Sequence, residues 1–175
     1  MEPHIDQDLF EAWALFLRTH ANVVRLLEDE LEKERGLPLA WYEVLLRLSK
    51  AEHPWRMHEL ADSLYLSRSG ATRVVEKLEK NGLVTRVICE GDRRGIEITV
   101  TAEGKRILRA AAPVHLQGIE EHFTRHLTRT EAAHLRSAFT KILDATEEEE
   151  QDTGSYQKAA GISGNGSKQN AEGAN

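Results

Sequence analysis

The sequence holds one cysteine, Cys89, among 175 residues, so an internal disulfide is impossible and a four-cysteine zinc centre is excluded. It contains no apolar run near the length of about 18 residues that a membrane span needs. Its first ten residues, MEPHIDQDLF, lack the basic and then apolar layout of a secretory signal. A cytoplasmic location without membrane contact is the expectation. Glycine-rich phosphate loops of the Walker or dinucleotide type are missing, and no nucleophile with an adjacent base can be placed. The chain is therefore not expected to be an enzyme, and no cofactor is implied.

Positive charge is also in short supply: 23 basic against 29 acidic residues give a net charge of −6. That balance argues against a nucleic-acid partner until its distribution is examined. Residues 1–55 carry 6 basic and 11 acidic groups, residues 56–106 carry 10 and 8, and residues 107–175 carry 7 and 10. The basic excess falls on the middle segment alone, and within Ser67 to Arg94 it sharpens to 7 against 4. Because salt screens charge beyond about 8–10 Å, the local field governs contact.

That segment, Met57 to Thr101, has the most informative pattern. His58 to Leu64 places Leu60, Ala61 and Leu64 on one helical face. A break follows at Tyr65 and Leu66, and Ser67 stands where an N-cap is wanted. A second helix runs to about Lys80, with Ala71, Val74, Val75 and Leu78 inward, and Asn81-Gly82 ends it. Ser67, Arg68, Ser69, Thr72, Arg73 and Lys77 are left on or near its outward face, a surface suited to a DNA groove. Two helices joined by a short turn, the second polar and basic outside, match a helix-turn-helix. After Gly82 the period changes. Leu83, Val84, Val87 and Ile88, then Ile96, Ile98 and Val100, read as a β-hairpin around CEGDRRG. Arginines at such a tip, a wing, can enter a minor groove or bind phosphates.

EKLEKNGLVTR, the tip DRR and the closing ITVTAEG resemble the winged-helix core of the multiple-antibiotic-resistance regulator (MarR) family of bacterial transcription factors. The resemblance spans about residues 8 to 145. It implies a mostly α fold, with a winged helix-turn-helix core, a short β-hairpin wing and flanking N- and C-terminal dimerisation helices. It also implies a homodimer on pseudo-palindromic double-stranded DNA, commonly a repressor released by a small ligand. By that resemblance Asp92 and Arg94 match the family's acidic and basic wing pair, with the arginine reaching the minor groove, while Arg93 and Arg86 lie near phosphates. Arg73 is the first choice for a base edge, since a guanidinium binds guanine O6 and N7 in a bidentate way.

The flanks fit this layout. Asp8 to Arg35 reads as one amphipathic helix with Leu9, Trp13, Phe16, Leu17, His20, Val24, Leu27 and Leu31 in a stripe, stopped by Gly36 and Pro38. Leu39 to Lys50 follows with Trp41, Val44, Leu45 and Leu48 inward, and His53-Pro54 breaks it. A long helix starts after Thr101, with Pro113 predicting a kink or local break, and a last one starts at the capping box TRTE near Thr128. Residues 1–36 and 102–146 are thus assigned to dimerisation and 37–101 to DNA binding. The acidic and then Gly-, Ser- and Asn-rich stretch 147–175 is expected to be disordered. A pocket between the first two helices and the reading head, lined by Trp13, His20 and Trp41, is the candidate site for a small aromatic or phenolic effector.

Each reading has a plainer rival. A basic helix face is often only solvated, in which case the winged helix serves protein contacts. Cys89 reads better as a half-buried strand residue than as a redox sensor, since peroxide sensors of the resembled family carry their cysteine in the first helix. His122 and His126 have the i, i+4 spacing of a metal chelate, with His115 a turn or two away. Some members of that family sense zinc, so a zinc-responsive regulator is the alternative reading. Without a thiolate or carboxylate third ligand in view, no metal site is assigned.

Overall fold

The computed structural model describes residues 5–64, 67–88 and 96–159, with side chains as far as residue 146. The chain forms two compact units, Met1–His126 and Leu127–Asn175.

In the first unit, α1 (Gln7–Arg35) starts at Asp6, whose carboxylate accepts from the N–H groups of Asp8 and Leu9 at 3.0 and 3.3 Å, satisfying donors that a helix start leaves open. Only the C-terminal part of its apolar stripe is buried, at Leu27 and Leu31. Helix α2 (Leu39–Lys50) buries Tyr42, Val44, Leu45 and Leu48. Trp41, expected inward, is half-buried at the edge of the core; the fully enclosed aromatic is its neighbour Tyr42, one 100° helical step away.

The entry into the helix-turn-helix differs from the expected simple break. Trp55–Arg56 forms a two-residue strand, β1, before α3 (Met57–Ser63). It pairs antiparallel with β3 (Ile96–Val100), Trp55 opposite Ile98 and Arg56 opposite Glu97. With β2 (Val84–Ile88) on the other edge the sheet has three strands in the order β1-β3-β2. Register between β2 and β3 runs from Val84↔Val100 to Ile88↔Ile96.

Helix α4 (Arg68–Lys80) ends in two bonds that define a glycine-closed terminus. The N–H of Leu83 reaches the carbonyl of Leu78 at 2.9 Å, and that of Gly82 reaches Glu79 at 2.8 Å. Gly82 sits at φ 70°, the left-handed conformation only glycine adopts freely. Thr101 then ties this terminus to the next helix, α5 (Ala102–His122). Its hydroxyl donates to the Gly82 carbonyl at 2.8 Å and accepts from the Gly104 N–H at 3.0 Å. One core joins these elements: Leu31 of α1, Val44 and Leu45 of α2, Leu60, Val75, Leu78, Ile98 and Ala111.

Pro113 does not break α5, which is continuous from Ala102 to His122. The carbonyl deprived of its partner is that of Arg109, an exposed residue, where solvent takes the place of the lost donor.

In the second unit, α6 (Arg129–Ala159) starts at the expected capping box. The Thr128 N–H donates to Glu131 Oε2 at 2.8 Å, and the Glu131 N–H donates to Thr128 Oγ1 at 3.2 Å. These hydrogen bonds from Thr128 hold the Glu131 carboxyl below its ordinary range. The helix runs on to Ala159, through the acidic run Glu147 to Glu150, which is made of good helix formers with no proline to stop it. Residues 160–175 lie outside the described residues.

Candidate nucleic-acid interface

Helix α4 sorts its side chains by turn angle. Ala71, Val75 and Leu78 have no exposed surface, and at 100° per residue they define one face. Ser69, Arg73 and Lys80 project about 180° away, with Lys77 beside them; all four are exposed. Lys80 belongs to this face although the sequence reading omitted it, and its place three residues beyond Lys77 was the available signal.

The expected contact residues divide into those free to reach a partner and those engaged in holding the helix. The Ser67 hydroxyl accepts from the Gly70 N–H at 3.1 Å and lies 3.2 Å from Ser69 Oγ, so it caps the helix. The Thr72 hydroxyl donates to the Arg68 carbonyl at 2.8 Å, which leaves it as an acceptor toward any ligand. Arg68, Arg73 and Lys77 extend from the surface.

Arg86, expected near phosphates, lies on the sheet and faces the end of α4. On β2 it pairs with Ile98, a core residue, and its side chain is 22% exposed. Nε lies 3.2 Å from Glu79 Oε2, an ion contact from the sheet to the end of α4. Nη2 is buried without a hydrogen bond among the described residues. Asp92, Arg93, Arg94 and Cys89 lie outside the described residues.

The three expected effector contacts come from two helices, Trp13 and His20 from α1 and Trp41 from α2. Trp13 and His20 flank Phe16 on the exposed half of α1, with ring centroids 5.9 and 6.1 Å from it; Trp41 packs on the core from α2. Of the histidines, His115 is buried, its ring 4.4 Å from that of Tyr42 and its Nε2 4.0 Å from Glu43. His126 Nε2 lies 3.0 Å from the Glu121 carbonyl, and His122 Nε2 lies 2.6 Å from Glu30 Oε1.

The sequence and the fold that mounts α4 between a second helix and a three-stranded sheet resemble those of known proteins. The family model described as MarR family matches residues 35–95. Transcriptional repressor MprA of Escherichia coli (strain K12) is 30% identical over 131 residues, covering 73% of this chain and 74% of MprA. The crystal structure of AbsC, a MarR family transcriptional regulator from Streptomyces coelicolor, matches with a TM-score of 0.76 at 28% identity, over 83% of this chain and 99% of AbsC. That of Sco3205, from the same organism and in complex with DNA, gives 0.76 at 26% identity, over 82% and 94%. On this likeness in both sequence and fold, the chain belongs to the MarR family of transcriptional regulators.

Proposed function

We propose that the chain acts as a homodimer on a pseudo-palindromic DNA site, each subunit laying α4 in a major groove and its wing in the flanking minor groove. The observation that carries this reading is the outward face of α4, where Ser69, Arg73, Lys77 and Lys80 stand opposite the buried Ala71, Val75 and Leu78. Arg73 reads a base edge, and Arg68 and Lys77 set the register through phosphates. Ser67 and Thr72 shape the helix start that faces the backbone. Arg94, with Asp92 beside it and Arg93 next to it, contacts the minor groove. Arg86 acts indirectly, by bracing the sheet on Glu79.

The chain works as a repressor in the cytoplasm and carries out no catalysis. A small aromatic or phenolic effector, stacking near Trp13, Phe16 and His20 or against Trp41, shifts the spacing of the two reading heads and with it DNA affinity. Selection of genomic fragments by the purified protein tests the reading. Enriched fragments should share two half-sites about 10 base pairs apart, one helical turn. Fragments held no more tightly than random duplex would support a winged helix used for protein contacts instead.

A further inference from the structure

We propose that Glu30, Glu121 and His122 form a binding site for one divalent transition-metal ion, which clamps α1 to the last turn of α5. Ligand atoms of the three lie within 4.8 Å of one another, and all three residues are half-buried. They come from segments 92 residues apart in the chain, yet all belong to the unit Met1–His126.

The Glu30–His122 hydrogen bond, 2.6 Å long, accounts for two of the groups and leaves Glu121 unexplained. Glu121 adds a second carboxylate, and with it a second negative charge, beside Glu30. A divalent cation offsets both. Ligands about 2.1 Å from a tetrahedral ion stand about 3.4 Å apart, and the ligand atoms here lie within 4.8 Å of one another. The supports of an ordered site are also present. Gln117 Nε2 donates to Glu121 Oε1 at 2.9 Å, and His126 Nε2 lies 3.0 Å from the Glu121 carbonyl, fixing the turn that carries two ligands. Glu30 is seated over Gly118, where an added Cβ would stand 2.7 Å from Glu30 Oε2 and 2.7 Å from Leu27 Cδ2. The imidazole selects zinc-like ions over magnesium or calcium, and solvent fills the remaining position.

The proposal has a regulatory consequence that rests on the DNA-binding reading above. Helix α1 carries the exposed apolar stripe, and α5 starts at the sheet through Thr101. An ion fixing one to the other sets the geometry of the reading head relative to the dimer contact.

The test is titration of the chelator-treated full chain with zinc chloride by calorimetry, with no DNA present, so its outcome is independent of operator binding. Wild type should take up one ion per chain, and His122→Gln and Glu121→Gln should lose that uptake. Gln117→Ala should weaken it about tenfold or more, as expected for an orienting residue, and His53→Gln, exposed and remote in sequence, should bind as wild type does. Glu121→Gln leaves the Glu30–His122 hydrogen bond in place, so it decides the matter even where His122→Gln loses helicity. No zinc uptake by wild type, or full uptake by Glu121→Gln and His122→Gln, overturns the proposal.

Discussion

Arg73 on α4 and Ser67 at its N-cap differ in what their removal would do. Arg73 extends from the exposed face, whereas the Ser67 hydroxyl is spent on the Gly70 N–H. Loss of the first is read in DNA affinity alone; loss of the second also removes an N-cap, worth about 1 kcal/mol of stability. Gly104 shows how a family-like sequence feature, the TAEG that follows the sheet, has a steric cause. A Cβ there would overlap the Leu83 carbonyl oxygen and stand 2.8 Å from Val100 Cγ2. The close approach is what lets Thr101 bridge the end of α4 and the start of α5. Gly104→Ala should therefore destabilise the fold by about 1–3 kcal/mol, the usual cost of overpacking a tight contact. Urea denaturation measures it, and an unchanged midpoint would mean that the α4–α5 junction is looser than described.

At the scale of elements, α2 and α5 meet around His115, whose pKa is pushed below its ordinary value of 6.5, chiefly by burial and against the opposing pull of Glu43. Tyr42, whose ring lies tilted against it, is pushed up chiefly by burial. Because the folded state holds His115 less readily protonated than the unfolded state does, the site contributes no pH dependence well above 6.5. As pH falls through 6.5, the unfolded chain takes up the proton first and stability is lost. The melting temperature should drop between about pH 7.5 and 5.5, and His115→Gln should flatten that slope; equal slopes would remove His115 as the cause.

Most helices were legible because their signals are local: apolar residues every three or four positions, Ser67 or Thr101 before a start, Gly36 or Asn81-Gly82 after an end. What was not legible depends on distant partners. A strand of two residues, Trp55–Arg56, has no period to detect and exists only because β3 pairs with it. Trp41 and Tyr42 are adjacent and both apolar enough to face inward, so composition does not choose between them. Arg86 resembles any exposed strand arginine until Glu79, on the preceding helix, claims it. The Glu30 carboxylate beside His122 was not legible for the same reason: it is brought there by the packing of α1 on α5.

At the scale of the whole molecule, the apolar stripe of α1 sets the requirement for a partner. Leu9, Trp13 and Leu17 repeat at four-residue steps and are 68%, 55% and 47% exposed in the single chain. In the other unit, α6 exposes Ile142 and Leu143. Apolar rows of this length, left exposed, mark an interaction surface, and in the proposed homodimer a second copy of the chain would cover like with like. Sedimentation should give a dimer for wild type, and Leu9→Glu with Leu17→Glu should shift it to monomer and weaken operator binding together. A monomeric wild type would contradict the dimer. Net charge fits the same picture. With the basic excess confined to residues 56–106 of a chain at −6, the acidic remainder limits non-specific adhesion to DNA while α4 keeps a locally favourable field.

The central claim is that the free face of α4 reads DNA sequence. Fluorescence anisotropy of wild type and Arg73→Ala, on a selected operator and on a scrambled duplex across salt concentrations, tests it most directly. Arg73→Ala should lose about 1–3 kcal/mol on the operator and much less on the scrambled duplex. Lys77→Ala, a phosphate contact, should weaken both alike and lower the salt slope by about 1. Equal affinity of Arg73→Ala and wild type for the operator would contradict the placement of α4 in the groove.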